Sequence, residues 1–401
     1  MTIQVPDNYV YLDWAATAPL GEEAAAAMKP YLEPGPANIA LGLNANSLHA
    51  PGRAAFEAME LARRQMSRDL GASRPSEIIF TSGATEADNM AILGIARACA
   101  QKRRSRHGAN DFVPRVITTE IEHDAVIAAA RKLAKEGFDV VFLKPDRRGF
   151  ISPETLEAQL TDSTVLVSVQ MANSEIGAVQ PIPELAKLAH NSGALFHTDA
   201  VQALAKVPLD FGVLGVDAAS FAAHKIGGPK GVGALYLKAR TPIEALLVGG
   251  GQEGGLRSST QNVCGIAGFA AACHAALENR VPECERQMRL RDFLYSELAK
   301  IDKVKCTVDV PAGSVEFLPN IVHVLVDGYE SEMLVLRLDQ KGFGVSGGSA
   351  CSSHSLEPSH VLRAMGIPGD AAYGALRISF GRYTTEEDVR SFVQALEACI
   401  R

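Results

Sequence analysis

An alternation of two kinds of segment constrains this chain more than any other feature. Between about Pro75 and Lys238, short runs of apolar and β-branched residues take turns with segments of helical periodicity. IIF (78–80) leads into a helical pattern from about Thr85 to Cys99, and VIT (116–118) leads into one over 124–136. DVVFL (139–143) precedes Ser152-Pro153, an N-cap with proline in the first helical position. VLVSV (165–169) precedes the helix PELAKLAH (183–190), and ALFHTD (194–199) follows. Strands alternating with helices of this length imply βαβ units and a largely parallel sheet. Ligands of such sheets sit beyond the carboxyl ends of the strands. The polar residues at those ends are therefore candidates: Thr81, Ser82, Thr119, Glu120, His123, Asn173, Glu175, Asp199 and Gln202.

The pattern changes after the glycine-rich segment GGGQEGGLRSST (249–260). One long helical run is expected from about Val263 to Lys300. Isolated strand-like pieces (NIVHVLV, ALRISF) and helices (ESEMLVLRLDQ, TEEDVRSFVQALEACI) follow, with Thr384 and Glu387 read as a capping box. The expectation is an α/β large domain over 16–262 and a smaller α+β domain built from 1–15 and 263–401.

Composition narrows the function. With 401 residues, 47% hydrophobic and 21% charged, the chain can bury a full core without disulfides or metal. A net charge of −7 lacks the basic footprint of a nucleic-acid binder. The one basic cluster, Lys102, Arg103, Arg104 and Arg106, reads as a solvated loop after a helix. Seven cysteines, an odd number without a C-x-x-C pair, suit a reducing compartment. The N-terminus MTIQVPDNYVYLDW has neither the basic nor the apolar region of a secretory signal. The most apolar stretch, Cys264 to Leu277, is too short for a bilayer and carries His274. The expected location is the cytoplasm, with no membrane association.

Two local motifs are misleading. Gly342 to Gly347 matches G-x-G-x-x-G but follows a helix, with Gly342 as its C-cap, where a dinucleotide site needs a preceding strand. Gly344-Val-Ser346-Gly-Gly348 matches a hydrolase elbow, yet the only later acid–histidine pair, Glu357 and His360, leaves no room for the fold's intervening strand. Cys351 is different. It lies in SGGSACSSHS, a polar glycine- and serine-rich stretch, where a thiol is either an incidental exposed group or a nucleophile. A zinc site through Cys351 and His354 lacks further ligands, so no metal is expected. Lys225 sits among Ala, Ile and Gly in SFAAHKIGGPKGVGALYL, where an ammonium group either snorkels to water or is chemically used. Asp199 ends an apolar strand, where a carboxylate is a helix cap, a structural ion pair or a cofactor partner. Read together, Lys225 and Asp199 are the pair that pyridoxal phosphate requires, an amine for its aldehyde and an acid for its ring nitrogen.

The sequence resembles the NifS/IscS-type cysteine desulfurases, class-V aminotransferases of the aspartate-aminotransferase-like fold (fold type I). The resemblance runs collinearly through YLDWAATAP (11–19), FTSGATEADN (80–89), TEIEH (119–123), NSEIGAVQ (173–180), HTDAVQ (197–202), HKIGGPKG (224–231), RSST (257–260), SGGSACSSHSLEPSHVLRAMG (346–366) and LRISFGR (376–382). It implies that Lys225 holds pyridoxal 5'-phosphate covalently and moves the substrate proton, Asp199 pairs with the ring nitrogen, and His123 stacks on the ring and assists the proton transfer. Gln202 and Asn173 would serve the ring, with Asn173 also near the substrate. Ala84, Thr85 and His224 would hold the phosphate, joined by Thr260 from the other subunit of a homodimer. Arg377, with Asn44, would clamp the substrate carboxylate. Cys351, on a catalytic loop at about 343–357, would take sulfur from L-cysteine, release L-alanine and pass a persulfide to an acceptor such as an iron–sulfur scaffold protein. Selenocysteine lyase, or a weakly active regulatory homologue, are the alternatives. Three positions depart from the family pattern: Ala222 where a phosphate-binding serine is usual, Asn44-Ala45 in place of Asn-Pro, and Trp14 in place of tyrosine.

Overall fold

The computed structural model describes residues 5–6, 8–40, 42–107, 112–348 and 358–401. Cys351 and His354 lie outside the described residues.

The chain opens with β1 (Val10–Tyr11), α1 (Glu22–Leu32) and α2 (Ala50–Asp69). It continues with β2 (Ile78–Thr81) into α3 (Ala84–Asn89), a π-helical stretch (Met90–Ile95) and α4 (Ala96–His107) without a break. Then come β3 (Arg115–Thr119), α5 (Asp124–Lys135), β4 (Asp139–Leu143), α6 (Pro153–Glu157), β5 (Thr164–Ser168) and α7 (Ile182–Asn191). After these follow β6 (Leu195–Asp199), α8 (Phe211–Leu214), β7 (Ala218–Ala222) and β8 (Gly233–Leu237).

Strands β2 to β8 form one seven-stranded sheet in the order β2-β8-β7-β6-β5-β3-β4. All neighbours from β7 to β4 are parallel, and β8 runs antiparallel to both of its neighbours. Strands β5, β7 and β8 are buried along their whole length and β6 everywhere but Leu195, which is what a sheet covered by helices on both faces demands. The expected strands 139–143, 165–169 and 194–199 coincide with β4, β5 and β6 to within a residue. Ser152 caps α6 by accepting from Thr155 N.

The second half contains α9 (Val263–Glu278), α10 (Arg280–Leu298), β9 (Val304–Cys306), β10 (Ile321–Val326), α11 (Ser331–Gln340), β11 (Phe343–Gly344), α12 (His360–Ala364), α13 (Gly369–Ala372), β12 (Ala375–Ser379) and α14 (Glu386–Cys399). An antiparallel sheet β12-β10-β9 carries its own core, in which Leu290, Leu294, Val324, Leu338, Ile378, Phe392 and Leu396 meet Leu12 from the N-terminus. Strand β1 pairs in parallel with β11, so the first residues belong to this smaller unit.

Three expectations need correction. The helical run after 263 breaks at Asn279 into α9 and α10, and Val263, Ile266, Phe269, Ala270 and Cys273 of α9 join the core of the large sheet. The capping box of α14 is Thr385 with Asp388, one residue later than Thr384 with Glu387. Thr384 instead accepts from Gly381 N. The basic cluster falls on the last turns of α4, where Arg103 donates to the carbonyls of Asp162 and Gly193.

Candidate active site

The carboxyl ends of β2, β3, β6 and β7 converge on a cavity of about 490 Å³, a size that suits a cofactor with a small substrate. Lys225 stands in a single turn of 3-10 helix (Ala223–Lys225) directly after β7. Its Nζ donates to the carbonyls of Ala15 (2.6 Å) and Ala16 (2.9 Å), which fixes the side chain toward the cavity.

Asp199 ends β6, and its Oδ1 accepts from Val201 N at 2.9 Å. Burial raises its pKa, opposed by the nearby His123 and Lys225. His123 caps α5: its Nδ1 accepts from Ala125 N at 3.1 Å, which places the proton of a neutral ring on Nε2. Gln202 donates from Nε2 to Ala15 O at 2.9 Å, and its buried Oε1 has no partner among the described residues.

The α3–α4 run opens toward the same cavity through Ser82, Gly83, Ala84 and Thr85, with no side chain capping its N-terminus. Exposed N–H groups and the helix dipole make this end a seat for an anion. The sheet closes tightly behind it. A Cβ on Gly233 would come within 2.6 Å of the Gly83 carbonyl carbon, so only glycine lets β8 approach. His224 and Lys230 add nitrogen donors to the lining. Burial, with the charges of Lys225 and Lys230, lowers His224 to about 4, and its Nδ1 lies 3.1 Å from Thr17 Oγ1. Ala222 is buried in the wall and offers no hydroxyl.

Arg377 enters from the opposite side, on β12 of the small sheet. It is almost fully buried, with Nη2 2.7 Å from Asp13 Oδ1 and Nη1 donating to Ser174 O at 3.0 Å. Its Nε has no partner among the described residues. Ser346, at the start of the segment that leads to position 349, pairs with Arg377 through the backbone. Glu175 is buried nearby and accepts from Ser359 Oγ at 2.6 Å, on the far side of that segment.

Seven of the expected site residues thus line one cavity: Lys225, His123, Asp199, Gln202, Ala84, Thr85 and His224, with Arg377 as an eighth. Three do not. Asn173 is buried behind the wall, with Oδ1 accepting from Glu175 N and Ile176 N and Nδ2 donating to Ile121 O. Asn44 is exposed and closes a local turn by accepting from Asn46 N. Thr260 is exposed outside the cavity. Sequence reasoning passed over Asp88 and Lys230, both in the lining. Asp88 had a legible signal, since it lies four residues after Ala84 on the same helical face.

Trp14 has a structural setting. Its Nε1 donates to Tyr11 O, its ring packs between Tyr11 and Tyr383, and it covers Gly381, where any Cβ would overlap the indole. A larger cavity of about 540 Å³, lined by Glu120, Asp124, Arg131, Ser359, His360 and Arg363 among others, contains no lysine. Among the described residues no group of three or more His, Cys, Asp or Glu side chains could hold a metal ion.

Comparison with known proteins agrees with this geometry. The class-V aminotransferase family matches residues 10–392. Cysteine desulfurase IscS of Dictyoglomus turgidum is 42% identical over 98% of this chain and 94% of its own length. Among solved structures, a NifS-like protein superposes with a TM-score of 0.85 at 35% identity, covering 97% of this chain and 98% of its own. SspA in complex with cysteine superposes with a TM-score of 0.77 at 30% identity, covering 94% and 100%. The chain belongs to the class-V aminotransferases, within their NifS/IscS-type cysteine desulfurases.

Proposed function

We propose that this cavity holds pyridoxal 5'-phosphate and that the enzyme converts L-cysteine to L-alanine, with the sulfur leaving as a persulfide on Cys351. The observation that carries this reading is the meeting of Lys225, Asp199 and the uncapped helix N-terminus in one cavity. An amine for the aldehyde, an acid for the ring nitrogen and an anion seat are the three features the cofactor needs, and the unpartnered Gln202 Oε1 leaves a polar site beside them. When bound, pyridoxal phosphate links covalently to amines and acts as an electron sink.

The protein's own groups divide the remaining work. Lys225 Nζ is the covalent anchor and the base for the Cα proton of L-cysteine. Asp199 holds positive charge on the ring nitrogen, and His123 covers the ring. Ala84, Thr85 and His224 hold the phosphate, with Lys230 adding charge where Ala222 supplies no hydroxyl. Arg377 receives the substrate carboxylate. The Cys351 thiolate attacks the substrate sulfur, so the carbon–sulfur bond breaks, a sulfur–sulfur bond forms, and L-alanine departs. Cys351 stands five positions after Ser346, a reach of up to ~17 Å, enough to bring the thiol to the substrate held by Arg377. The persulfide then passes to an acceptor such as an iron–sulfur scaffold protein.

Asn173 and Asn44 serve as turn formers that shape the walls. We assign the large unit to 16–262 together with α9, and the rest to the small unit. A homodimer is supported by exposed apolar side chains at Leu48, Phe56, Leu61 and Val248, which lie on or near the α2 face and the loop that carries Thr260. Thr260 would act in the partner's cavity. No helix among the described residues is long and apolar enough to cross a membrane, and we place the enzyme in the cytoplasm.

The test is alanine release from L-cysteine with a thiol reductant and excess pyridoxal phosphate. Turnover supports the assignment. Cofactor uptake without alanine would overturn the cysteine desulfurase activity, and no uptake would overturn the cofactor site.

A further inference from the structure

The reaction outlined above gives no task to two acids of the cavity lining, Glu86, which is paired with Arg257, and Asp88. Asp88 lies on α3, four residues after Ala84, and lines the cavity while being only 1% exposed. Neither of its carboxyl oxygens has a hydrogen-bond partner among the described residues. The closest basic nitrogen is His197 Nε2, 3.7 Å away. That imidazole is itself buried and engaged on both sides, with Nδ1 2.8 Å from Ser168 Oγ and Nε2 2.9 Å from Ser220 Oγ. The titratable groups that face Asp88 are Asp199 and His197 from β6 and Glu122 from the turn before α5, while β7 offers the Ser220 hydroxyl.

Asp88 and Asp199 are therefore two acids in one cavity floor, and their surroundings differ. Asp199 has Lys225 as a cationic neighbour, the His123 ring beside it and a backbone donor in Val201 N. Asp88 has no cationic neighbour among the described residues, and the one donor near it, the Ser220 hydroxyl, also lies 2.9 Å from His197 Nε2. Two negative charges in such a site repel, and the acid with fewer partners keeps the proton. Burial and the charge of Asp199 push the Asp88 pKa in that direction, and burial holds His197 neutral at about 3.

We propose that Asp88 is a positioning residue for the cofactor: a neutral carboxyl group in the cavity floor that leaves Asp199 as the single negative charge facing the ring nitrogen. The proposal rests on the cofactor reading above. It identifies the pair, rather than Asp199 alone, as what fixes the charge under the ring. Ionising Asp88 in alkali adds a second negative charge at the same place.

Asp88→Asn copies the neutral group, and Asp88→Ala removes it. The first measurement is a difference infrared spectrum, wild type minus Asp88→Asn, on the full-length protein at pH 7 in H2O and D2O. A carboxylic-acid carbonyl band that shifts in D2O is expected. A difference containing only ionised-carboxylate bands overturns the proposal, whatever the cofactor does. The second is a titration with pyridoxal phosphate, read by visible absorbance at pH 7. Asp88→Asn should bind within threefold of wild type with an unchanged band. Asp88→Ala should bind at least tenfold more weakly. Equal weakening in both variants overturns the proposal. Failure of the wild type to take up pyridoxal phosphate sinks the cofactor reading and this role together, and the infrared band distinguishes that case from a wrong protonation state.

Discussion

The two walls of the cavity are built on different principles. On the large-sheet side, Lys225, Asp199, His123 and Gln202 are each tied to backbone groups: the carbonyls of Ala15 and Ala16, Val201 N and Ala125 N. On the small-sheet side, Arg377 has a backbone tie from Nη1 to Ser174 O, but its Nη2 is held by the carboxylate of Asp13, whose place a substrate carboxylate would take under the proposed function. Backbone ties fix side chains whatever is bound, which suits groups that serve a resident cofactor. An ion pair can exchange its partner, which suits a group that must accept and release a substrate at every turnover. The difference separates a wall that holds from a wall that trades.

Four experiments break or sharpen that division. The largest effect is expected from Cys351→Ser: alanine release falls below detection while the visible cofactor band persists. Alanine at the wild-type rate would remove Cys351 from the chemistry. Lys225→Ala should lower kcat by at least ~10³-fold, as expected for loss of a covalent anchor and base, and should abolish the absorbance of the covalently held cofactor. Arg377→Ala should raise KM for L-cysteine by about 10- to 150-fold, the worth of a charge-assisted hydrogen bond of ~1.5–3 kcal/mol. Its affinity for pyridoxal phosphate should stay within threefold, and a larger loss would mean that the small-sheet wall also serves the cofactor. The smallest effect concerns stability. Burial lifts Glu122 to about 8 in the folded protein, even though Gln170 N and Thr119 Oγ1 donate to it. An acid whose pKa is raised on folding contributes stability that is complete below its unfolded pKa near 4.5 and is lost as pH rises toward 8. Glu122→Gln should therefore flatten the fall in Tm between pH 5 and pH 8.5, by ~2 °C or more in thermal unfolding followed by circular dichroism. A variant whose Tm falls as steeply as that of the wild type would show that Glu122 is ionised throughout.

Much of the large-sheet wall was legible in the sequence, because it hangs on strands that announce themselves. IIFT, RVITT, TVLVS and LFHTD are short, apolar and β-branched, and the polar residue after each falls at a carboxyl edge by topology alone. The small-sheet side was harder to read. The turn at Asn279 is marked only by Pro282 in the first turn of α10, a position a continuous helix with a kink would also allow, so α9 and α10 read as one helix. In TTEED (384–388), two adjacent threonines and three acids allow two capping registers, and only the contact of Thr384 with Gly381 decides between them. Asn173 and Asn44 stand outside the cavity lining for a common reason. A short amide beside a turn is readily consumed by its own backbone, and no local pattern distinguishes that from a ligand contact. Asp88 was missed because its neighbours in space, His197 and Asp199, are more than 100 residues away in sequence.

The pairing of β1 with β11, and of Leu12 with the small core, has a consequence for how the protein is made. The small unit draws on both ends of the chain, whereas the large sheet is complete once β8 has formed. On a ribosome, Lys225 and Asp199 emerge about 150 residues ahead of Arg377, an interval of roughly 8–30 s at ordinary elongation rates. The nascent chain can therefore finish the wall that holds before the wall that trades exists, and the site becomes competent for substrate only as the last strand and helix leave the tunnel.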